Sequence, residues 1–193
     1  MTTVNAYHQT LHIAFAKATT DRAAGTIAAS QAAAQALGTT PECVTLCHVN
    51  GMPPAVAIAG AVPQRDTTLA LSLSHRDQRA VAVATRSDTL RVGVDLERAD
   101  GLSTEYARYF LTRAEFQSRG TLTLNQLWVL KEAAWKALEC EASTPYTALE
   151  LGFGMHGELH EIRLRQQCMP VRALVFSPWR RMVCAVVFVP DVS

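Results

Sequence analysis

The sequence predicts an α+β protein built as two similar halves, residues 1–90 and 91–193. Three observations lead there. Short apolar runs with period-two alternation recur along the chain, bounded by turn residues. One alanine-rich helical stretch lies among the early runs, and a cluster of helical stretches lies among the later ones. At 193 residues the chain is long enough to bury a sizeable core in one domain or two small fused halves. No repeat is visible by identity between the halves.

In the first half, residues 10–16 (TLHIAFA) alternate as a strand. Asp21 to Leu37 reads as a helix, with Thr20 or Asp21 as N-cap and Gly38 as its stop. CVTLCHV and AVAIAG flank Asn50-Gly51, a hairpin signal. LALSLSH and AVAVAT follow as strands joined by the polar turn RDQR, and LRVGVDLE is the next strand. The pattern then turns helical. Ser103–Phe110 reads as a short helix, and Thr112 with Glu115 forms a capping box for another. Thr123 caps a long helix ending near Glu139. SRGTLT and EASTPY are loops, and residues 159–165, 171–176 and 182–189 are strands.

Composition narrows the function classes. The formal net charge is +1, which leaves no global basic field for nucleic acid. The longest apolar run, MVCAVVFV, is far too short to span a bilayer and suits a buried strand. The first twenty residues have neither a basic start nor the apolar run of a signal peptide, so a cytoplasmic protein is expected. The five cysteines, Cys43, Cys47, Cys140, Cys168 and Cys184, are scattered and odd in number. They read as buried free thiols, with Cys43 and Cys47 facing inward on a strand, because no second Cys/His pair stands at zinc spacing.

Three segments carry possible chemistry. On the strand LRVGVDLE, Val92, Val94 and Leu96 share one face, and Gly93, Asp95 and Glu97 share the other. Two carboxylates so close repel unless a cation or base lies between them. Gly93 is expected to leave room for a ligand beside Asp95. A half-exposed strand end with two solvated acids explains the same pattern. On the long helix, Leu127, Leu130, Ala134, Ala137 and Leu138 form an apolar stripe, with Trp128, Lys131, Glu132, Trp135 and Lys136 opposite. The tryptophans imply that this second face is covered too, either by the other half or by a ligand. The competing explanation is a surface Glu132–Lys136 pair at i,i+4 spacing. The third segment, SLSH (residues 72–75), ends a strand and places Ser74 and His75 where they can donate to a phosphate, or where they serve structure alone. There is no G-x-S-x-G elbow, Walker loop or G-x-G-x-x-G fingerprint.

In this order the segments resemble the 4′-phosphopantetheinyl transferase superfamily. Val92-Gly93-Val94-Asp95-Leu96-Glu97 matches its hydrophobic-Gly-hydrophobic-Asp-x-Glu strand. Trp128 to Lys136 matches its Trp-x-x-Lys-Glu-Ala-x-x-Lys helix. SLSH resembles the Ser-His motif of the longer, Sfp-like branch, and FLTRAEF the segment after the metal strand. The resemblance spans roughly residues 70–140. Three departures stand out: a shorter spacer from Asp95 to Trp128, Val129 where a small hydroxyl residue is common, and Met52 in place of the basic residue of a Gly-basic-Pro turn.

The resemblance implies two similar α/β halves related by pseudo-twofold symmetry, with the active site in the cleft between them. It implies transfer of phosphopantetheine from coenzyme A to a serine of an acyl or peptidyl carrier protein. Mg²⁺, or Mn²⁺, would sit on Asp95, Glu97 and Glu132. Glu132 would also be the general base, and Lys136 would lie near the transferred phosphate. Ser74, His75, Lys131 and Lys136 would bind coenzyme A. The carrier protein would dock on the helices between Ser103 and Ser118, which offer Arg108, Arg113, Tyr109 and Phe116. Fused halves make a monomer sufficient. Two rival expectations stand beside this one: a non-catalytic relative that only binds coenzyme A or a carrier protein, and a metal-dependent phosphohydrolase.

Overall fold

The computed structural model describes residues 2–6, 9–47, 55–58, 68–154 and 157–190. They form a mixed α/β protein of four small sheets and four α-helices. The chain divides into two compact units, residues 1–92 and 93–193.

The first unit contains β1 (Thr2–Ala6), β2 (Gln9–Lys17), α1 (Asp21–Leu37), β3 (Val44–Cys47), β4 (Ala55–Ile58), β5 (Leu69–Arg76) and β6 (Arg79–Arg86). Its main sheet has the order β1-β2-β6-β5, with every neighbouring pair antiparallel. Asp77 and Gln78, at φ 52° and 61°, turn the β5–β6 hairpin. Positive φ at both central residues matches the right-handed strand twist. Thr20 caps α1 by accepting a hydrogen bond from Ala23 N at 3.1 Å, and Gly38 stops it at φ 67°. The helix buries Ala24, Gly25, Ala28, Ala29, Ala32 and Ala33 against Ala14, Ala80, Ala82 and Ala84 of the sheet. Small side chains on both surfaces form this core. β3 and β4 pair antiparallel, Val44 with Ile58 and Cys47 with Ala55. The Asn50-Gly51 turn and the Gly51-Met52-Pro53 segment lie outside the described residues.

The second unit contains most of β7 (Leu90–Arg98), then α2 (Thr104–Ala107), α3 (Arg113–Ser118), α4 (Leu124–Ala137), β8 (Leu149–Phe153), β9 (Leu159–Leu164), β10 (Gln167–Pro170), β11 (Arg172–Phe176) and β12 (Met182–Pro190). Its sheets have the orders β11-β12-β7 and β10-β9-β8. Both expected N-caps form full capping boxes, Thr112 with Glu115 and Thr123 with Gln126. α4 packs its Val129, Leu130, Ala133, Ala134 and Ala137 into a core shared with Leu149, Ile162 and the alternate residues Val183, Ala185, Val187 and Val189 of β12.

Several expectations need correction. β1, β8 and β10 are strands that the sequence pattern does not announce. They are short, and β8 carries a glycine while β10 ends on a proline. The helix expected over Ser103–Phe110 is regular only at Thr104–Ala107. Cys43 sits half-buried in a 3-10 turn and Cys47 is exposed, because Val44 and Leu46 take the inward positions. Cys168 is exposed as well, and only Cys184 is fully buried.

Candidate active site

Strand β7 is apolar on both sides of its centre. Val94 and Leu96 are buried, and Asp95 between them is only 5% exposed. Gly93 explains how α4 reaches this strand. A Cβ there would lie 1.9 Å from the Ala133 carbonyl oxygen and 2.6 Å from Ala137 N. The missing side chain is therefore filled by helix backbone, not held open for a ligand as expected. This close approach sets Lys136 against the strand. Its Nζ donates to Asp95 Oδ1 at 2.7 Å and to the Val94 carbonyl at 3.2 Å.

Glu132, one turn earlier on α4, does not take Lys136 as its i,i+4 partner. It accepts a hydrogen bond from the Tyr146 hydroxyl. Tyr146 opens a 3-10 turn after Pro145. Burial raises the proton affinity of Glu132. The Tyr146 hydrogen bond opposes that rise, the charges of Asp95 and Glu97 add to it, and Lys136 counters it. Burial, followed by the Glu132 carboxylate, pushes the Tyr146 hydroxyl upward.

The two tryptophans are covered from within this unit. Trp128 packs edge-on to Phe110 with ring centroids 5.0 Å apart, and lies 5.0 Å from Tyr146. Trp135 lies 5.9 Å from the same tyrosine. The cover that the sequence reading gave to the other half or to a ligand is thus supplied by an aromatic cluster of the same unit.

Lys131 does not present its ammonium group to solvent. It is fully buried, and its Nζ donates to the Glu115 carboxylate and the Leu149 carbonyl. Glu115 also accepts from Leu151 N at 2.8 Å and from Thr112 N at 2.6 Å. One buried ion pair therefore ties α3, α4 and β8 together. Burial pushes the Lys131 amine down, and the Glu115 carboxylate only partly opposes that. Sequence reasoning marked Glu115 solely as a cap residue and left Tyr146 in a loop. The only available signal was an aromatic residue after proline, nine residues beyond the helix.

In the other unit, Ser74 is buried near the end of β5 and His75 is exposed. His75 Nδ1 lies 3.8 Å from Asp21 Oδ2 at the start of α1, and the Gln78 N–H donates to the same aspartate. An open depression beside them is lined by Thr19, Thr20, Asp21, Arg76, Asp77 and Gln78. On the second unit, Tyr106 and Tyr109 are 56% and 62% exposed. Arg108 stacks 4.9 Å above the Tyr109 ring. Arg113 is exposed, Phe116 is half-buried under Arg119, and Phe110 is buried.

No family model matches the chain, and no curated protein does. Among solved structures the chain is similar to the holo-acyl-carrier-protein synthase of Thermotoga maritima, at a TM-score of 0.42 and 18% identity. The match covers 52% of this chain and 63% of that one, less than two thirds of its length.

Asp95, Glu97 and Glu132 suit a hard divalent cation in kind, since all three offer carboxylate oxygens. Among the described residues, however, no three acidic, histidine or cysteine side chains converge as a ready metal cage. Lys136 supplies the positive charge next to Asp95. A cation there would need the carboxylates to turn toward it. All five cysteines are free, and no described helix is long and apolar enough to cross a membrane.

Proposed function

We propose that this chain transfers 4′-phosphopantetheine from coenzyme A to a serine of a carrier protein. The observation that carries the reading is the 2.7 Å contact between Lys136 Nζ and Asp95 Oδ1. It brings together, in space, the two motif segments that the sequence holds 41 residues apart.

In this reading the carrier serine oxygen attacks the phosphorus adjoining pantetheine, and adenosine 3′,5′-bisphosphate leaves. Glu132 takes the serine proton, a role that suits a carboxylate whose proton affinity is raised by burial. Lys136 offers fixed positive charge to the phosphate. Asp95, Glu97 and Glu132 would hold Mg²⁺, whose contribution is to neutralise pyrophosphate charge. Ser74 and His75 would meet coenzyme A phosphates. Lys131 leaves that set, because its ammonium is buried and satisfied by Glu115 and Leu149. The exposed Arg108, Tyr109 and Arg113 suit an acidic carrier surface. The free cysteines accord with a reducing cytoplasm.

One observation favours a second reading, a relative that binds coenzyme A or a carrier without transfer: Lys136 already occupies Asp95. Intact-mass measurement on a panel of apo carrier proteins, incubated with the chain, coenzyme A and Mg²⁺, separates the two. Transfer adds one phosphopantetheine to a carrier. Binding alone adds nothing. Phosphate released without any carrier present would instead mark a phosphohydrolase.

A further inference from the structure

The segment around α2 turns its side chains in two directions. Ala107 and Phe110 are buried, and Phe110 packs on Trp128 of α4. Tyr106, Arg108 and Tyr109 face solvent. Among the described residues the exposed large apolar side chains are Ile27, Tyr106 and Tyr109, so two of the three are gathered here. They are also held still. The two rings lie 6.4 Å apart at 47°. The Arg108 guanidinium stacks 4.9 Å above the Tyr109 ring, and its Nη2 donates to the Tyr109 hydroxyl at 2.9 Å. A lone exposed tyrosine needs no explanation. Two braced ones form a preorganised aromatic surface, which loses little side-chain freedom when a partner covers it.

The charge around this surface is one-sided. Between Ser103 and Arg119 the chain carries Arg108, Arg113 and Arg119 against Glu105 and Glu115. Glu115 is buried and paired with Lys131, so Glu105 alone offsets the three arginines. This segment is therefore more basic than the whole chain, whose formal net charge is +1.

We infer that Tyr106 and Tyr109 anchor an interface for an acidic carrier protein: an apolar side chain of the carrier seats on the two rings, and acids beside it meet Arg113. Arg108 acts within the anchor as the brace of Tyr109. This rests on the transferase reading above and adds to it the place of the apolar contact. The anchor stands on Phe110 and so on Trp128, one turn before Glu132 on α4. A docked carrier is thereby registered against the helix that carries the proposed base.

The test uses the full chain and an apo carrier protein that wild type modifies, with transfer followed by intact mass. Truncating an anchor tyrosine typically weakens a complex about 10–100-fold. We expect the KM for carrier to rise in that range for Tyr109→Ser and less for Tyr106→Ser. The KM for coenzyme A, kcat and the melting temperature should stay near wild type, because neither ring belongs to the core. Arg108→Lys keeps the charge but loses the planar stack, and should raise the carrier KM about 2–5-fold, the worth of an exposed cation–π contact. Added NaCl should lower kcat/KM as strongly in Tyr109→Ser as in wild type, and less strongly in Arg113→Gln. An unchanged carrier KM in the Tyr106→Ser/Tyr109→Ser double variant, with wild-type transfer intact, overturns the anchor alone. A wild-type carrier KM in Arg108→Lys overturns the brace. A dimer in sedimentation that Tyr109→Ser dissolves also overturns the proposal, since a second copy of this chain would then cover the rings. A wild type that modifies no carrier overturns the transferase reading, and this inference with it.

Discussion

Helices α1 and α4 both lie on small β-sheets, but they do so with different chemistry. α1 buries alanines and one glycine, and its charged side chains stay out of the core. α4 is buried around most of its circumference and carries Lys131, Glu132 and Lys136 inward or half inward. A helix kept only for packing has no need of polar groups that cost free energy to desolvate. The contrast separates a helix that packs on small side chains alone from one that also carries polar groups inward. It also separates the two inner lysines of α4. Lys131 is fully buried on Glu115 and the Leu149 carbonyl, whereas Lys136 is half-buried and reaches Asp95 and the Val94 carbonyl of β7.

The largest effect on the fold is expected at the structural lysine. Lys131→Met leaves the Glu115 carboxylate buried against the Leu151 and Thr112 amides without its counter-charge. Breaking one side of such a pair costs about 3–5 kcal/mol, measurable by urea unfolding. A change below about 1 kcal/mol, within the range of exposed pairs, would mean that Lys131 is not buried as described. Next comes the glycine under α4. Gly93→Ala places a methyl group 1.9 Å from the Ala133 carbonyl, where backbone must move. Overpacking costs about 1–3 kcal/mol when side chains can adjust, and more is expected here. The matching glycine of α1 should behave oppositely. A Cβ at Gly25 would meet His75 Cδ2 and Leu73 Cδ2 at 3.4 Å, an ordinary contact. Helix propensity then favours Gly25→Ala by up to about 1 kcal/mol. If both glycine variants lost stability equally, the two helices would not differ in the way argued here.

These contrasts also mark how far the sequence can be read. The bounds of α1, the Thr112–Glu115 capping box, the Thr123 cap, the β5–β6 hairpin and the strand β7 were legible. They depend on local signals: side chains that satisfy helix-end amides, turn residues, and strict alternation. β1, β8 and β10 were not legible, because short strands with glycine, proline or polar residues take their identity from the neighbour they pair with. At the site, Asp95, Glu132 and Lys136 stood out as a spacing pattern. Their actual partners did not. Whether Lys136 turns to Glu132 or to Asp95 is decided by Gly93, which lets the helix approach the strand. Lys131 was misplaced for a related reason. A helical wheel assigns it to the polar face but carries no information that Glu115, sixteen residues earlier, will meet it inside.

A smaller effect concerns pH. Burial raises the folded-state proton affinity of Glu132 above its unfolded value near 4.5. The folded state therefore holds this proton more tightly. The group's contribution to stability is full below that value and is lost as pH rises through the raised folded one. Glu132→Gln, which stays neutral, should remove this loss. Its melting temperature at neutral pH should equal or exceed that of wild type, and the Glu132-linked change across the weakly acidic range should flatten. A melting temperature that falls at every pH would assign Glu132 a structural role instead.

The same variant supplies the most direct test of the proposal that Glu132 on α4 serves chemistry. Transfer of phosphopantetheine to an apo carrier protein would be timed by intact mass for wild type and Glu132→Gln, with the melting temperature of each recorded in the same buffer. The account predicts that wild type modifies the carrier. It predicts that Glu132→Gln is slower by about 10²–10⁴-fold, the usual worth of a general base, while being no less stable. Transfer that survives in Glu132→Gln, or a wild type that modifies no carrier at all, would contradict it.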